Sequence, residues 1–306
     1  MEGNRVLVWG LGSTYNRYVN LLKFFSETGQ FQIVGVTARS IPQGYTHIDG
    51  WPLLEYKDVD KTQFDYILVM SQNYYFDILQ DVTERYAIAK ERVLSFKILN
   101  IPNFDFYKYV TIKNSKITIF SNNCWGGMLY HSLGLECLSP FKNLSVLDDD
   151  YLEFLKCPKD YFQIDPEWNG LEELDCNSGK KVPMLNWGDI LIKCNHYPDP
   201  YEAIEKWKRR SEKINWDNLL VEMYTENERI ARKFSYLDYS RKMCFVPFDI
   251  EVRDVYHLPM LPGQKKFYET VNGAVTLEGN GYIYDICDAI LGKINYRLKN
   301  SVSKMD

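Results

Sequence analysis

Arg5-Val6-Leu7-Val8-Trp9-Gly10-Leu11-Gly12-Ser13-Thr14-Tyr15 decides the fold class of the first part of the chain. Arg5 to Trp9 is an apolar run of strand length, and two glycines follow it directly. Thr14 to Phe25 then places Tyr18, Leu21, Leu22 and Phe25 at helical spacing. A strand, a glycine turn and a helix in that order open a βαβ unit. Working outward, Phe31 to Thr37 reads as a second strand and Asp65 to Ser71 as a third. Tyr75 to Ala89 reads as a helix and Val93 to Phe96 as a fourth strand. Alternating strands and helices imply a parallel sheet with right-handed crossovers. This first domain is expected over residues 1–110, as a Rossmann-like unit of the kind that binds a nucleotide or sugar.

The glycines are a partial match to a dinucleotide fingerprint. In that fingerprint the first glycine makes the turn, the second admits phosphate and the third lets helix pack on strand. Gly10 and Gly12 fit the first two places, but Tyr15 stands at the third. The acidic residue expected at the end of the second strand is missing, and Arg39 follows that strand instead. Gly10, Gly12, Ser13 and Ser71 are therefore the cofactor-binding candidates, with two readings. One is contact with a nucleotide-linked ligand. The other is a turn that uses its glycines only for geometry, with Ser71 or Asn73 as a helix cap. The cofactor itself stays unidentified.

The second part, residues 111–306, is also read as an α/β domain with mainly parallel strands. Lys116 to Phe120 is a strand, followed by Ser121-Asn122-Asn123-Cys124-Trp125-Gly126-Gly127 and a helix from Met128 to Leu135. Further strands are expected at Asp189–Asn195, Leu219–Tyr224 and Lys242–Val246. Helices are expected at Asp148–Leu155, Pro200–Lys213, Glu226–Phe234 and Tyr282–Leu298, with a turn-rich connection from Gly273 to Gly281. If the sheet is parallel, the polar residues after these strands lie on one edge, where open α/β sheets bind ligands.

That edge supplies the ligand-binding candidates Ser121, Asn122, Asn123, Gly126, Gly127, Asn195, Thr225 and Glu226, with Asp249 after the last strand. Cys124 and His196 are the catalytic candidates. A thiol at a helix N-terminus can be stabilised as thiolate, and an imidazole can serve as its base. The plain alternatives are an inert small hydrophobe and a capping imidazole. His131 reads as structural. Asp148-Asp149-Asp150 reads as a solvated helix start, and Lys206, Lys208, Arg209 and Arg210 as a basic helix face with phosphate binding as its functional alternative.

Composition bounds the function. The chain has 306 residues, 45% hydrophobic and 25% charged, which excludes disorder, collagen and coiled coil. Lys+Arg is 36 against 41 Asp+Glu, which argues against a nucleic-acid partner. No run is long and apolar enough for a transmembrane helix, and the first residues lack a signal-peptide layout, so a cytoplasmic place is expected. Seven irregularly spaced Cys without CxxC, and 4 His without HExxH, point to free thiols and to no metal.

Ser121 to Gly127 resembles a bacterial family named exopolysaccharide biosynthesis protein, a domain of unknown function that carries this motif. The resemblance continues at Leu133-Gly134-Leu135, Ser139-Pro140-Phe141, Asp150 to Leu155, His196-Tyr197, Glu202-Ala203, Lys206-Trp207, Arg209-Arg210 and Lys213-Ile214-Asn215. Phe141 stands where the family pattern often has Thr. The resemblance implies a role in polysaccharide loci and carries over no catalytic residue. Three functions compete. The first is a transferase or accessory enzyme acting on an activated sugar or glycan precursor. The second is a non-catalytic sensing module of a glycan assembly complex. The third is an NAD(P)-dependent oxidoreductase.

Overall fold

The computed structural model describes residues 4–173, 179–261, 263–276 and 283–294. The chain divides into two compact units, Met1–Asn114 and Ser115–Asp306. Both carry parallel sheets flanked by helices, so the α/β class is established.

In the first unit, β1 (Arg5–Trp9) leads through the glycine turn into α1 (Ser13–Glu27) and then β2 (Gln32–Thr37). A small antiparallel hairpin follows, β3 (His47–Ile48) and β4 (Trp51–Pro52). The rest is β5 (Tyr66–Val69), α2 (Tyr75–Tyr86), β6 (Val93–Ser95) and α3 (Phe106–Asn114). The sheet order is β2-β1-β5-β6, parallel throughout. Val6, Leu7, Val8 and Trp9 are all buried, as a central parallel strand covered on both faces requires.

The second unit begins with β7 (Thr118–Ser121), α4 (Trp125–Ser132), β8 (Ser145–Val146), α5 (Asp148–Lys156) and the short α6 (Pro158–Tyr161). Next come β9 (Glu167–Glu173), β10 (Lys181–Trp187), β11 (Ile190–Lys193) and α7 (Pro200–Ser211). It ends with β12 (Leu219–Tyr224), α8 (Glu228–Ser235), β13 (Lys242–Val246), β14 (Val255–His257), α9 (Phe267–Gly273) and α10 (Ile286–Ile290). Two sheets result. One is parallel, in the order β14-β13-β12-β7. The other is antiparallel, in the order β8-β11-β10-β9.

This corrects one expectation. The strand read at Asp189–Asn195 does not join the parallel edge, because β11 belongs to the antiparallel sheet. The two sheets of this unit share one core. Phe120 of β7 packs near Phe141 and Phe154, with ring centroids 5.3 and 5.4 Å away. Trp187 of β10 lies 4.6 Å from Trp207 of α7. The abundant aromatic residues thus fill the interior, each burying a large apolar area.

Cys176, and most of the turn-rich connection read at Gly273–Gly281, lie outside the described residues, as does much of the expected closing helix. Within the described residues 283–294 of that stretch the helix is confined to α10, shorter than expected: Asp285 caps its start and Gly292, at φ 81°, lies just past its end. Among the described residues, Cys194, Cys244 and Cys287 are buried and Cys157 is exposed. No helix among the described residues is long and apolar enough to cross a membrane.

Candidate functional site at the carboxyl edge of the second unit

β7 and β12 are neighbours with Ser121 in register with Glu222. The Ser121 hydroxyl donates to the Glu222 carboxyl. The Asn123 side-chain amide donates to both Glu222 oxygens, at 3.2 and 3.0 Å, and to Asn122 Oδ1 at 2.8 Å. Glu222 has no exposed surface, and its carboxyl is pushed up from the usual 4.5 to about 8. Burial disfavours the charged form and outweighs the hydrogen bonds from Ser121 and Asn123, which act the other way. The acid is therefore held mainly neutral at pH 7.

Asn122 ties the ends of the two strands together. Its Nδ2 donates to the Tyr224 carbonyl at 3.0 Å, and its Oδ1 accepts from the Tyr224 N–H at 3.1 Å. Its own carbonyl accepts from Val146 N–H at 3.0 Å, which brings β8 to the end of β7. Asp148, in the first turn of α5, accepts from Asn122 Nδ2 at 3.3 Å and from the Thr225 hydroxyl. Burial raises the Asp148 carboxyl, helped by Asp149 and Glu226 and opposed by Thr225 and Asn122. Of the acidic run, Asp149 faces Arg229 and Lys233 at 3.6 Å, and Asp150 accepts from Leu191 N–H.

Cys124 is the N-cap residue of α4 and is partly exposed. Asn195 Nδ2 lies 3.8 Å from its sulfur, and Asn195 Oδ1 accepts from the Ser145 hydroxyl at 3.2 Å. So Asn195 reaches this edge from the antiparallel sheet. Burial pushes the Cys124 thiol up; Asn195 opposes this and Glu222 adds to it. A helix N-terminus can favour thiolate, and burial acts on this thiol in the opposite direction.

The remaining candidates separate clearly. Ser121, Asn122, Asn123 and Thr225 are buried and build the edge from behind. Gly126 and Gly127 are also buried, and their missing side chains serve packing. A Cβ on Gly126 would come 3.0 Å from Ile119, and one on Gly127 would come 3.1 Å from Lys142 Cγ. Glu226 is exposed. His196 is exposed and makes no hydrogen bond with Cys124 among the described residues. Burial and then Lys180 lower its imidazole below the usual value. Asp249 pairs with His257 at 2.7 Å. The groups open at the rim are thus Cys124, Asn195, Ser145, Tyr224, Glu226 and His196. Among the described residues no cluster of His, Cys, Asp and Glu is arranged to hold a metal.

Glu222, the acid at the centre of this network, is absent from the candidates read from the sequence. Its signal is a carboxylate inside the otherwise apolar Leu219-Leu220-Val221-Glu222-Met223-Tyr224 run. A charged residue in a central strand is rare unless it is paired or neutralised.

The corresponding edge of the first unit is different. Gly10 has φ 110° and a Cβ there would come 3.3 Å from the Met70 carbonyl oxygen, so the turn needs glycine. Gly12 has an ordinary φ of −87° and open space where a Cβ would be. Ser13 is the exposed first residue of α1, and Ser71 accepts from Tyr74 N–H at 3.2 Å. Tyr15 does not push helix from strand; it is buried and donates to Asp49 at 2.9 Å, anchoring the β3–β4 turn. Arg39 lies 3.6 Å from Asp81.

The molecule is therefore an α/β protein of two units, with a buried polar network at the carboxyl edge of the second parallel sheet. Residues 95–289 match the family model described as a domain of unknown function, DUF1919, and the chain belongs to that family. Residues 2–94 match the model described as C2185-like, N-terminal. A protein of Haemophilus influenzae (strain ATCC 51907 / DSM 11121 / KW20 / Rd), described as "Uncharacterized protein", is 30% identical over 138 residues, 44% of this chain. The chain matches 63% of that relative's length.

Proposed function

We propose that this chain is a cytoplasmic transferase or accessory enzyme of exopolysaccharide or capsule biosynthesis, acting on an activated sugar or glycan precursor at the carboxyl edge of the second unit. The observation that carries this reading is the convergence of Cys124, Asn195 and Ser145 over the buried Asn123–Glu222 pair. Amide, hydroxyl and carboxyl groups side by side can donate to and accept from the many hydroxyls of a sugar. The buried pair fixes the turn beneath them, so the rim is preorganised. In this reading Asn195, Ser145 and Glu226 orient hydroxyls, and Cys124 stays a thiol at the rim. His196, whose imidazole burial and Lys180 shift toward the neutral form, is the accepting base. The resemblance of the Ser121–Gly127 motif to proteins of polysaccharide biosynthesis supports the choice of substrate.

The test is a thermal-shift panel on the full chain, with nucleotide-sugars, NAD(H), NADP(H), acyl-CoA and S-adenosylmethionine. At 100 times its dissociation constant a ligand adds about 2.7 kcal/mol of stability. A nucleotide-sugar is expected to stabilise the chain, and Asn195→Ala is expected to remove that stabilisation. Stabilisation by a dinucleotide alone would move the function to an oxidoreductase using the Gly10–Ser13 turn. No stabilisation by any ligand would favour a non-catalytic assembly module.

A further inference from the structure

We infer that Lys142, Arg210 and Tyr197 form a phosphate-binding subsite beside the Cys124–Asn195 rim, fitted to the phosphate or diphosphate of an activated sugar. This inference rests on the proposed function for the sugar, but the anion subsite itself stands on separate observations.

The geometry begins with Tyr197, two residues beyond Asn195. Its ring is buried, and its hydroxyl donates to the Lys142 carbonyl at 3.1 Å. Arg210 Nη1, in the last turn of α7, donates to the same hydroxyl at 2.6 Å. The Lys142 side-chain stem lies against Gly127. Gly127 sits three residues after Cys124, on the same side of the start of α4. The three residues therefore join the loop over α4, the end of β11 and the end of α7 at a point adjoining Cys124.

Charge accounting separates this cluster from an ordinary salt-bridged surface. Lys206 lies over the Tyr197 ring and is paired with Glu202. Lys208 is paired with Asp165 at 2.6 Å, and Lys213 with Glu136 at 2.7 Å. Lys142 and Arg210 have no carboxylate partner among the described residues. Burial raises the half-buried Cys137 thiol, Arg210 and Lys142 oppose that rise, and Glu136 adds to it. Two half-buried cations without an ion-pair partner among the described residues, one of them fixed through a tyrosine hydroxyl, leave a positive patch. A helix C-terminus favours cations in general. That preference accounts for Arg210 at the end of α7 but not for Lys142, which lies in the loop before β8. A guanidinium with N–H groups still free offers a phosphate two parallel hydrogen bonds, and an ammonium adds a point charge.

The test is calorimetric titration of the full chain at fixed ionic strength, with inorganic pyrophosphate and with uridine diphosphate glucose. Arg210→Gln and Lys142→Gln are each expected to weaken pyrophosphate by about tenfold or more, since a charge-assisted phosphate contact is lost. Tyr197→Phe keeps the ring, frees Arg210 and is expected to weaken it by about threefold. Lys208→Gln, already paired with Asp165, is expected to change it by less than about twofold. Circular dichroism melting confirms that each variant is folded. Absence of pyrophosphate binding overturns the subsite, and so does binding unchanged by Arg210→Gln and Lys142→Gln. Pyrophosphate binding that responds to these variants, with the nucleotide-sugar no tighter than the bare anion, upholds the subsite and overturns the sugar reading instead.

Discussion

The two parallel sheets of this chain finish their strands in different ways. In the first unit β1 ends in Gly10-Leu11-Gly12, and α1 starts with no side-chain cap and no acidic residue in its first turn. Of the polar residues nearby, Ser71 is spent locally on Tyr74, and Arg39 lies exposed 3.6 Å from Asp81 of α2. In the second unit β7 ends in Ser121-Asn122-Asn123-Cys124, and every one of these side chains reaches across to another element or acid. A glycine edge needs little beyond backbone geometry. An edge built on a buried acid is held only while each donor and acceptor is satisfied. The same topology thus supports a tolerant edge and an intolerant one, and the intolerant one carries the candidate chemistry.

The largest effect expected from this contrast is at Glu222. Glu222→Ala leaves the Ser121 hydroxyl and the Asn123 amide without their acceptor and opens a cavity, so a loss of about 3 kcal/mol or more is expected. Glu222→Gln keeps the volume and is expected to cost less. It also isolates the pH dependence. The folded chain holds the Glu222 proton up to about 8, whereas the unfolded chain releases it near 4.5. The stability contributed by the neutral acid is complete below about 4.5 and is lost as pH rises through about 8. The stability advantage of the parent chain over Glu222→Gln should therefore shrink between pH 5 and 8, by up to about 1.4 kcal/mol per pH unit. Urea unfolding of both proteins across that range measures it. A difference that stays constant with pH would show that Glu222 is not neutral in the folded protein.

A smaller effect is expected at the strand tie. Asn122→Ala removes the bonds to both backbone groups of Tyr224 in a buried place, at a cost of about 2 kcal/mol. Its counterpart in the first unit, Ser71→Ala, frees an exposed N–H that water can satisfy, so about 0.5 kcal/mol is expected. Equal losses in denaturant unfolding would erase the distinction between the two edges.

Much of this architecture was legible in the residues, for physical reasons. Parallel strands covered on both faces read as continuous apolar runs, which located β1, β5, β7, β12 and β13. The polar residues that follow them located Ser121 to Cys124 and Thr225. Asn195 was found as a strand end but given to the wrong sheet. In Ile190-Leu191-Ile192-Lys193 the isoleucines are buried and their neighbours half-buried, the alternation of an antiparallel strand, but three apolar residues in a row hide that alternation in the sequence. β9 was not legible at all. Glu167-Trp168-Asn169-Gly170-Leu171-Glu172-Glu173 has no apolar face, and it is a strand because it pairs with β10. The neutrality of Glu222 was hidden for a deeper reason, since it depends on burial by elements distant in sequence.

The finest test lies inside the first edge, between two glycines that look alike in the sequence. Gly10 holds a backbone conformation that L-residues rarely adopt, and a methyl group there would press on the Met70 carbonyl at 3.3 Å. Gly10→Ala is therefore expected to cost about 1–2 kcal/mol. Gly12 has an ordinary backbone and nothing within 4 Å of a methyl group. Gly12→Ala is expected to cost less, about 0.5 kcal/mol, the ordinary disadvantage of alanine against glycine at a helix N-cap. Thermal unfolding of the two variants decides the matter. Equal losses would mean that Gly12 bears on packing after all. A neutral Gly12→Ala leaves its bareness without a structural reason, and the same variant can then be carried through the ligand panel. If a nucleotide-linked ligand loses its stabilising effect there, the first edge is a binding edge as well, and its tolerance of change is confined to the fold.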